Sequence, residues 1–196
     1  YRLTGVRLSS SQSITKIMWM SDNKPEIYKQ TYAVLNSKDY IINKLTGKFV
    51  TDYSDASLGC LLNLDTLDWA DELLKAAGID TKKLPELHAS TDVAGYVSDE
   101  ASRLTGLKEG TPVVIGGGDG ACAAVGTGSI KEGIANNCLG TSSWISVCSK
   151  EPVYDESMTT FNYAHVVPGC YVPCGTMQCG GGSLDWAVKQ LCAKEY

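Results

Sequence analysis

The sequence predicts an α/β fold, and two observations predict it. Several segments carry apolar residues at helical spacing and end at a glycine, which is typical of short amphipathic helices. The segment TPVVI, residues 111–115, is a short and wholly apolar run of the kind that forms a strand buried on both faces. Helices that lead into such a strand indicate an α/β architecture.

The elements before this strand are predicted to be mostly helical. Pro25 suits the first turn of a helix, and Ser37 and Ser98 are residue types that cap helix N-termini. TDYSDAS, residues 51–57, interrupts the helical pattern with polar residues typical of turns. The predicted helices are PEIYKQTYAVL (25–35), SKDYIINKLTG (37–47, stopping at Gly47), LDWADELLKAAG (67–78, stopping at Gly78) and SDEASRLTG (98–106, stopping at Gly106).

The pattern changes after Gly128. GIANNCLGTSSWISVCS, residues 133–149, predicts two strands around a tight turn at Gly140, Thr141 and Ser142. CYVPCGTMQCGGGSLDWAVKQL, residues 170–191, predicts a strand, a glycine turn and the start of a helix. We therefore expect a domain boundary near residues 129–132, followed by a part that is short for an independent core.

Both ends of the chain indicate a piece of something longer. The first residues, YRLTGVRLSSSQSI, contain neither a start methionine nor the apolar core of a signal peptide. The last residues, LDWAVKQLCAKEY, read as a helix without a clear stop. We expect the chain to be the central part of a larger protein.

The charge balance restricts the partners. The chain has 17 basic and 22 acidic residues, which gives a formal net charge of −5. An acidic balance argues against a nucleic-acid or membrane-surface partner. No apolar run approaches the roughly 20 residues that a membrane-spanning helix needs.

The eight cysteines are interpreted as reduced and buried, because several lie among Ala, Val and Leu and no secretion signal is visible. Cys170, Cys174 and Cys179 form a C-x3-C-x4-C pattern, and His165 is the nearby candidate for a fourth ligand. Zinc sites usually combine a closer cysteine pair with a second pair or with histidines. A metal site is therefore the less favoured alternative.

The glycine loop GGGDG, residues 116–120, admits three interpretations. Gly116, Gly118 and Ala121 satisfy the G-x-G-x-x-A spacing of a dinucleotide loop, but the acidic residue expected about 20 positions later is missing. Asp119 would also repel a pyrophosphate. A plain turn with an N-capping aspartate is the second interpretation. The third is a catalytic carboxylate, favoured because three glycines suggest that something approaches the backbone closely.

Two further glycine turns support the third interpretation. LGTSSW, residues 139–144, presents backbone N–H groups and hydroxyls that suit phosphate oxygens. CGGGSLDWA, residues 179–187, places glycines before a helix, whose positive end suits a nucleotide. Together the three turns predict a cleft in which one carboxylate faces a phosphate cradle.

The sequence resembles the FGGY family of carbohydrate kinases. SQSITKIMWMSDN, residues 11–23, fits every position of a family signature, with Lys16 and Trp19 as its fixed points. The segment that follows in the family is similar to residues 35–57, LNSKDYIINKLTGKFVTDYSDAS. GGGDG is similar to the family's catalytic loop, and LGTSS is similar to its phosphate-contacting turn. The resemblance implies a ribonuclease H-like or actin-like ATPase fold.

The resemblance also implies a division into two domains. Residues 1–130 would be the C-terminal part of the N-terminal, sugar-binding domain, and residues 131–196 would begin the C-terminal, nucleotide-binding domain. The whole enzyme would be cytoplasmic, would use ATP and Mg²⁺ and would act on a small sugar; a homodimer is compatible with it. The loop is most like that of pentulose kinases such as the xylulokinases, which implies D-xylulose as the substrate. Ribulose, gluconate, glycerol and a non-catalytic relative stay open.

The resemblance implies roles for named positions. Asp119 falls on the general base, and Gly118 with Asp119 on the sugar contact. The positions that fall on the ATP contacts are Gly140, Thr141, Ser142, Gly181 and Asp185.

Overall fold

The computed structural model describes residues 1–192 and is mixed α/β, as predicted. No helix within these residues is long and apolar enough to cross a membrane. The helices are α1 (Ser13–Asn23), α2 (Pro25–Gln30), α3 (Ser37–Thr46), α4 (Tyr53–Leu58), α5 (Asp71–Ala76), α6 (Asp99–Thr105), α7 (Asp119–Gly126) and α8 (Gly181–Leu191). The strands are β1 (Val50–Asp52), β2 (Leu62–Asn63), β3 (Asp68–Trp69), β4 (Glu86–His88), β5 (Val93–Tyr96), β6 (Pro112–Val114), β7 (Ala135–Leu139), β8 (Ser143–Val147), β9 (Phe161–Ala164) and β10 (Tyr171–Met177).

Three pairs of short strands organise the first part of the chain. β1 runs parallel to β4, with Asp52 opposite His88, and all three residues of β1 are buried. β2 pairs with β3 and β5 with β6, both antiparallel. The segment TDYSDAS is therefore the end of a buried strand and the helix α4, not simply a turn-rich connection.

A four-stranded antiparallel sheet in the order β7-β8-β10-β9 forms the second part. β7 and β8 are paired up to Leu139 opposite Ser143, so the turn lies at Gly140–Ser142 as predicted. β10 then runs between β8 and β9, and α8 follows it after the glycines. The predicted strand, glycine turn and helix start are all confirmed.

The second part packs directly on the first. One buried cluster combines Ala56 and Leu64 from the first part with Ala164 from β9. The buried Ser57 hydroxyl in α4 accepts a hydrogen bond from the Ala164 N–H at 3.0 Å. The expected boundary near residues 129–132 therefore does not separate two hydrophobic cores.

The first two predicted helices each differ from the structure at one end. α2 ends at Gln30 instead of reaching residue 35, because Val34 donates its N–H to the Lys83 carbonyl at 2.8 Å and the chain is extended there. α3 is capped by Asn36 and not by Ser37, and the Asp39 side chain accepts from the Asn36 N–H at 3.1 Å. The stop at Gly47 is confirmed, with φ of 75°.

The segment that begins at Leu67 was predicted to be helical throughout, and this is wrong for its first residues. Leu67 has φ of 53°, and residues 68–69 form β3 on β2, so α5 begins only at Asp71. The helix at residues 98–106 is confirmed as α6. Its Ser98 hydroxyl accepts from the Ala101 N–H at 3.2 Å.

The strand in TPVVI exists but is not buried on both faces. β6 pairs only with β5 among the described strands, and Val114 is 56% exposed. Only Ile115, after the strand, is fully buried. The apolar composition correctly predicted a strand. It could not reveal that β6 pairs with the short antiparallel strand β5.

All eight cysteines are unpaired. The prediction that they are buried is confirmed for four of them. It is wrong for the other four, which lie at exposed positions. The buried ones are Cys60, Cys148, Cys170 and Cys174, and the exposed ones are Cys122, Cys138, Cys179 and Cys192.

Gly5 attaches the first residues of the chain to β9. Its carbonyl accepts from the Asn162 N–H at 2.9 Å, and its φ is 74°. A methyl group in the Cβ position would lie 2.8 Å from the Asn162 carbonyl oxygen and closer still to Leu64 Cδ1. At Gly78, φ is similarly positive at 69°, but nothing lies within 4 Å of the Cβ position.

Gly5→Ala should therefore lower the free energy of unfolding by about 2–4 kcal/mol, the sum of left-handed strain and overpacking. Gly78→Ala should lower it by only about 1–2 kcal/mol, since it adds strain alone. Urea denaturation of both variants measures the difference. Equal losses would contradict the crowding seen at Gly5.

Candidate active site

Asp119 is the first residue of α7, and Gly118 is the N-cap. The interpretation of Asp119 as an N-capping aspartate is therefore wrong by one position. Its side chain is exposed, and Oδ1 accepts from the N–H of the adjacent Gly120 at 2.7 Å. The positive end of a helix favours a negative charge at this position.

A cavity of about 440 Å³ lies beside Asp119, between α7 and the four-stranded sheet. Three of its wall residues, Cys138, Trp144 and Thr176, stand opposite one another on neighbouring strands. Among the described residues that line it, Asp119 carries the only charge. The lining residues are Leu58, Asp119, Gly120, Ala123, Cys138, Trp144, Phe161, Tyr163, Cys174 and Thr176.

Tyr163 supplies a hydroxyl to this cavity. The side chain is buried, and its hydroxyl oxygen lies 3.2 Å from the Cβ position of Gly120. Burial, together with the nearby Cys174 and Asp119, raises the pKa of Tyr163 far above its ordinary value. The cavity therefore contains an exposed carboxylate and a neutral phenol close together. No local sequence pattern pointed to Tyr163.

The three glycines before Asp119 have separate structural reasons. Gly116 has φ of 70°, in the left-handed region. A Cβ on Gly117 would lie 2.7 Å from Val166 Cγ1, and one on Gly118 would lie 2.8 Å from Asp55 Oδ1. Something does approach the backbone closely, as predicted, but at Gly117 and Gly118 it is the chain's own side chains.

A charged group that sequence reasoning missed lies behind this loop, and we call Lys38, Asp39, Asp52 and Asp55 the acid cluster. The Lys38 ammonium is 2.7 Å from Asp39 Oδ1, 3.1 Å from Asp52 Oδ1 and 3.4 Å from Asp55 Oδ2. Asp39 and Asp52 are buried, and the other two side chains are 20% exposed. The only sequence signal for the acid cluster was the presence of charged residues in two nearby segments, SKDY (37–40) and TDYSD (51–55). These residues meet only after folding.

Hydrogen bonds connect the acid cluster to the glycine loop. Asp52 ends β1 and caps α4, and its Oδ2 accepts from the Ser54 N–H at 2.9 Å, from the Ser54 hydroxyl, and from the Ser90 hydroxyl at 2.7 Å. The Ser54 hydroxyl oxygen accepts in turn from the Gly118 N–H at 2.8 Å. The residue before Asp119 is thus bonded to a side chain of α4.

The acid cluster perturbs two of its members in the same direction. Burial alone would lower the pKa of Lys38, but the Asp39 hydrogen bond and the charges of Asp52 and Asp55 outweigh it and raise that pKa. Burial raises the pKa of Asp55 to about 6, and the charges of Asp52 and Asp39 add to this against the opposing effect of Lys38. Three carboxylates share one ammonium, so Asp55 holds its proton more tightly than an ordinary aspartate does.

Four of the five residues expected to contact ATP meet at the β7–β8 turn: Gly140, Thr141 and Ser142 form it, and Gly181 is bonded to it. The Gly181 N–H donates to the Gly140 carbonyl at 2.9 Å, and the Gly182 N–H donates to the Thr141 carbonyl at 3.1 Å. These two N–H groups at the start of α8 are therefore bonded to the turn and do not form an open anion site. Within residues 1–192 the N–H groups of Thr141 and Ser142 make no backbone hydrogen bond, and both residues are exposed.

Asp185 lies apart from the Asp119 cavity. It is exposed on α8 and forms an ion pair with Lys189 at 2.8 Å, one helical turn later. None of the five positions expected to contact ATP lines the cavity. The structure therefore gathers the predicted residues into two places: Gly118 with Asp119, and the turn with the start of α8.

The cysteine pattern does not assemble with His165. The His165 Nδ1 accepts from the Val167 N–H at 2.8 Å, so its Nε2 donates to the Ser129 carbonyl at 2.9 Å. Burial also lowers the pKa of His165. Across residues 1–192, no three His, Cys, Asp or Glu side chains are placed to share a metal ion.

Comparisons with known proteins agree on one family. The sequence profile described as "FGGY family of carbohydrate kinases, N-terminal domain" matches residues 1–126. A xylulose kinase of Lactococcus lactis is 35% identical over 175 residues, covering 89% of this chain and 34% of the relative. An autoinducer-2 kinase of Escherichia coli is 33% identical over 196 residues, covering all of this chain and 37% of the relative. The chain thus spans a little over a third of the length of these relatives.

Solved structures share the fold. The crystal structure of xylulose kinase from Rhodospirillum rubrum superposes with a TM-score of 0.91 at 30% identity, covering 98% of this chain and 39% of that one. The predicted ribonuclease H-like or actin-like ATPase fold is confirmed.

The raised pKa of Asp55 sets a pH dependence of stability. Since the folded pKa is about 6 and an unfolded aspartate titrates near 4, the folded state binds the proton more tightly. The free energy of unfolding should therefore fall by about 3 kcal/mol as pH rises from about 4 to above 6.

Asp55→Asn should remove this fall, so that the variant gains stability relative to the parent protein between pH 4 and pH 8. Urea denaturation across that range measures it. Asp22→Asn, at an exposed position of α1, is the matched control and should follow the parent curve. A difference between Asp55→Asn and the parent that does not change with pH would refute the assignment.

Proposed function

We propose, from the premise that the chain belongs to the FGGY family of carbohydrate kinases, that it supplies the catalytic base of an ATP-dependent sugar kinase. The observation that carries this proposal is Asp119, the only charged side chain among the described residues of an otherwise largely apolar cavity. In the complete enzyme, residues 1–130 would belong to the sugar-binding domain and residues 131–196 would begin the nucleotide-binding domain.

Asp119 would accept the proton of the attacking sugar hydroxyl. In phosphoryl transfer the protein mainly positions the reactants and stabilises charge, and a positioned carboxylate makes the hydroxyl a better nucleophile. The Gly120 N–H donates to Oδ1 at 2.7 Å and holds that oxygen in place. The other oxygen has no hydrogen-bond partner among the described residues, so it can receive the proton.

The cavity beside Asp119 would hold part of the sugar. Gly120 lines the cavity next to the carboxylate without a side chain in the way, and the neutral Tyr163 hydroxyl offers a hydrogen-bonding partner. The apolar walls formed by Trp144 and Phe161 would limit the access of water, which competes with the sugar as acceptor.

The β7–β8 turn would contact the phosphates of ATP. Thr141 and Ser142 are exposed residues, and backbone N–H groups and hydroxyls of this kind suit phosphate oxygens. Gly140 and Gly181 would act by holding the turn against α8. Asp185 would approach the nucleotide only after leaving its ion pair with Lys189. Mg²⁺ would arrive bound to ATP, as part of the substrate.

D-xylulose, converted to D-xylulose 5-phosphate, is the substrate that we propose. The resemblance of the GGGDG loop to pentulose kinases and the similarity to xylulose kinases support it. Because an autoinducer-2 kinase is about equally similar, the assay should compare pentuloses, gluconate, glycerol and related polyols. ADP release with each sugar, measured in the complete enzyme, identifies the substrate. Use of ATP also favours a cytoplasmic location.

Asp119→Asn in the complete enzyme should lower kcat by about 10²–10⁴-fold while leaving KM for ATP nearly unchanged, because an amide cannot accept the proton. Asp71→Asn is the matched control, since Asp71 is also an exposed first residue of a helix. It should retain full activity. Near-normal sugar-dependent turnover in Asp119→Asn would disprove the role of this residue.

Gly181→Ala should raise KM for ATP by about tenfold, which corresponds to about 1.4 kcal/mol of binding, with a smaller effect on KM for the sugar. A Cβ on Gly181 would lie 2.5 Å from the Gly140 carbonyl oxygen and would push the turn away. Gly175→Ala, in β10 with nothing within 4 Å of its Cβ position, is the control. Equal KM values for ATP in both variants would argue against the turn as a phosphate contact.

A further inference from the structure

We infer that Ser54 is a positioning residue for Asp119, acting with Ser90 as a clamp that ties both ends of the glycine run 116–118 to the buried Asp52. The clamp is defined by Ser54, Ser90 and Asp52. The part of the inference that concerns catalysis rests on the proposed role of Asp119, whereas the part that concerns loop geometry does not.

The first arm of the clamp holds the residue before Asp119. The Ser54 hydroxyl has one hydrogen, which it donates to Asp52 Oδ2. Its oxygen lone pairs are then free to accept from the Gly118 N–H, at 2.8 Å. Since Ser54 is fully buried, no water competes for this bond. The hydroxyl is also polarised by the carboxylate, which strengthens its acceptance.

The second arm holds Gly116, at the other end of the glycine run. The Ser90 hydroxyl donates to the same Asp52 Oδ2 at 2.7 Å, and the Ser90 carbonyl accepts from the Gly116 N–H at 2.9 Å. The two N–H groups that flank Gly117 are therefore both bonded to serines that share one carboxylate oxygen. A glycine run has no side chains of its own to restrict it, so these bonds define its conformation.

Lys38 makes this arrangement stable. Asp52 is completely buried, and its Oδ1 faces the Lys38 ammonium at 3.1 Å while its Oδ2 faces the two hydroxyls. A buried carboxylate is tolerated only when it is paired and hydrogen-bonded. The acid cluster is thus the fixed support, and the two serines transmit its position to the loop.

The loop in turn sets the position of Asp119. The Gly118 carbonyl accepts the first helical bond of α7, from the Cys122 N–H at 2.9 Å, while its N–H is held by Ser54. With both polar groups of Gly118 bonded, the Cα of Asp119 has little freedom. A shift of about 1 Å at a reacting group can cost about 100-fold in rate, so an anchor of this kind has kinetic consequences.

The test compares Ser54→Ala with Ser57→Ala in the complete enzyme. Both serines are completely buried on α4, and Ser57 likewise accepts from a backbone N–H, that of Ala164 at 3.0 Å, but it does not contact the loop. Similar losses of stability are expected. Only Ser54→Ala should lower kcat, by about tenfold, with KM for ATP within about twofold of the parent.

Amide hydrogen exchange gives a readout that does not depend on activity. In Ser54→Ala the Gly118 amide should exchange at least about tenfold faster, whereas in Ser57→Ala it should be unchanged. If Asp119→Asn proved neutral, the proposed function would fail, but the exchange result would still test the clamp. Unchanged Gly118 exchange in Ser54→Ala, or an equal loss of kcat in Ser57→Ala, overturns the inference.

Ser90→Ala provides a second variant should Ser54→Ala not fold. It removes the hydroxyl that supports Asp52 from the other side and leaves the Gly116 bond to the Ser90 backbone in place. Exchange of both the Gly116 and Gly118 amides should then accelerate, because the shared Asp52 Oδ2 loses one of its two hydroxyl donors. Unaltered exchange at both amides in this variant would equally overturn the clamp.

Discussion

The buried carboxylate of Asp52 is the constraint on which the rest of the site depends. A charge with no exposure to solvent must find its counter-charge and its hydrogen-bond donors inside the protein. Lys38 comes from α3, Ser54 from α4 and Ser90 from the loop after β4, so satisfying one side chain requires three separate segments to meet. The glycine loop is then drawn in, because the same serines bond its backbone.

Two kinds of carboxylate result, although all are aspartates. Asp52 and Asp39 are buried and engaged with Lys38, and they serve the architecture. Asp119 is exposed beside a cavity, at the positive end of α7. The difference lies in their surroundings: the first two are held by several donors, whereas one oxygen of Asp119 has no hydrogen-bond partner among the described residues. The glycines separate the two groups, since a side chain at Gly118 would collide with Asp55.

At the β7–β8 turn, too, polar groups of the chain are satisfied by other parts of the chain. The turn at Gly140–Ser142 and the first residues of α8 satisfy one another through N–H to carbonyl bonds. A helix N-terminus that could have been an independent anion site is instead used to hold the turn. Within residues 1–192, the N–H groups of Thr141 and Ser142 are the ones that this arrangement leaves without a backbone acceptor. The fold therefore bears on the proposed function, because it determines which backbone N–H groups are already bonded within the chain.

The sequence by itself determined the α/β class, the β7–β8 hairpin, α6 with its two caps, the family and the position of Asp119 at a strand-to-helix turn. Each of these depends on residues close together in the chain, such as Ser98 with Ala101 or Leu139 with Ser143. Only the tertiary structure decided the rest. It showed that α2 is short, that β6 is half exposed and that Lys38 binds three aspartates. It also showed that Tyr163 stands beside Asp119 and that Ser54 holds Gly118. Some of these contacts join residues more than 60 positions apart, as Ser54 and Gly118 do. Local sequence patterns cannot predict contacts between residues that only folding brings together.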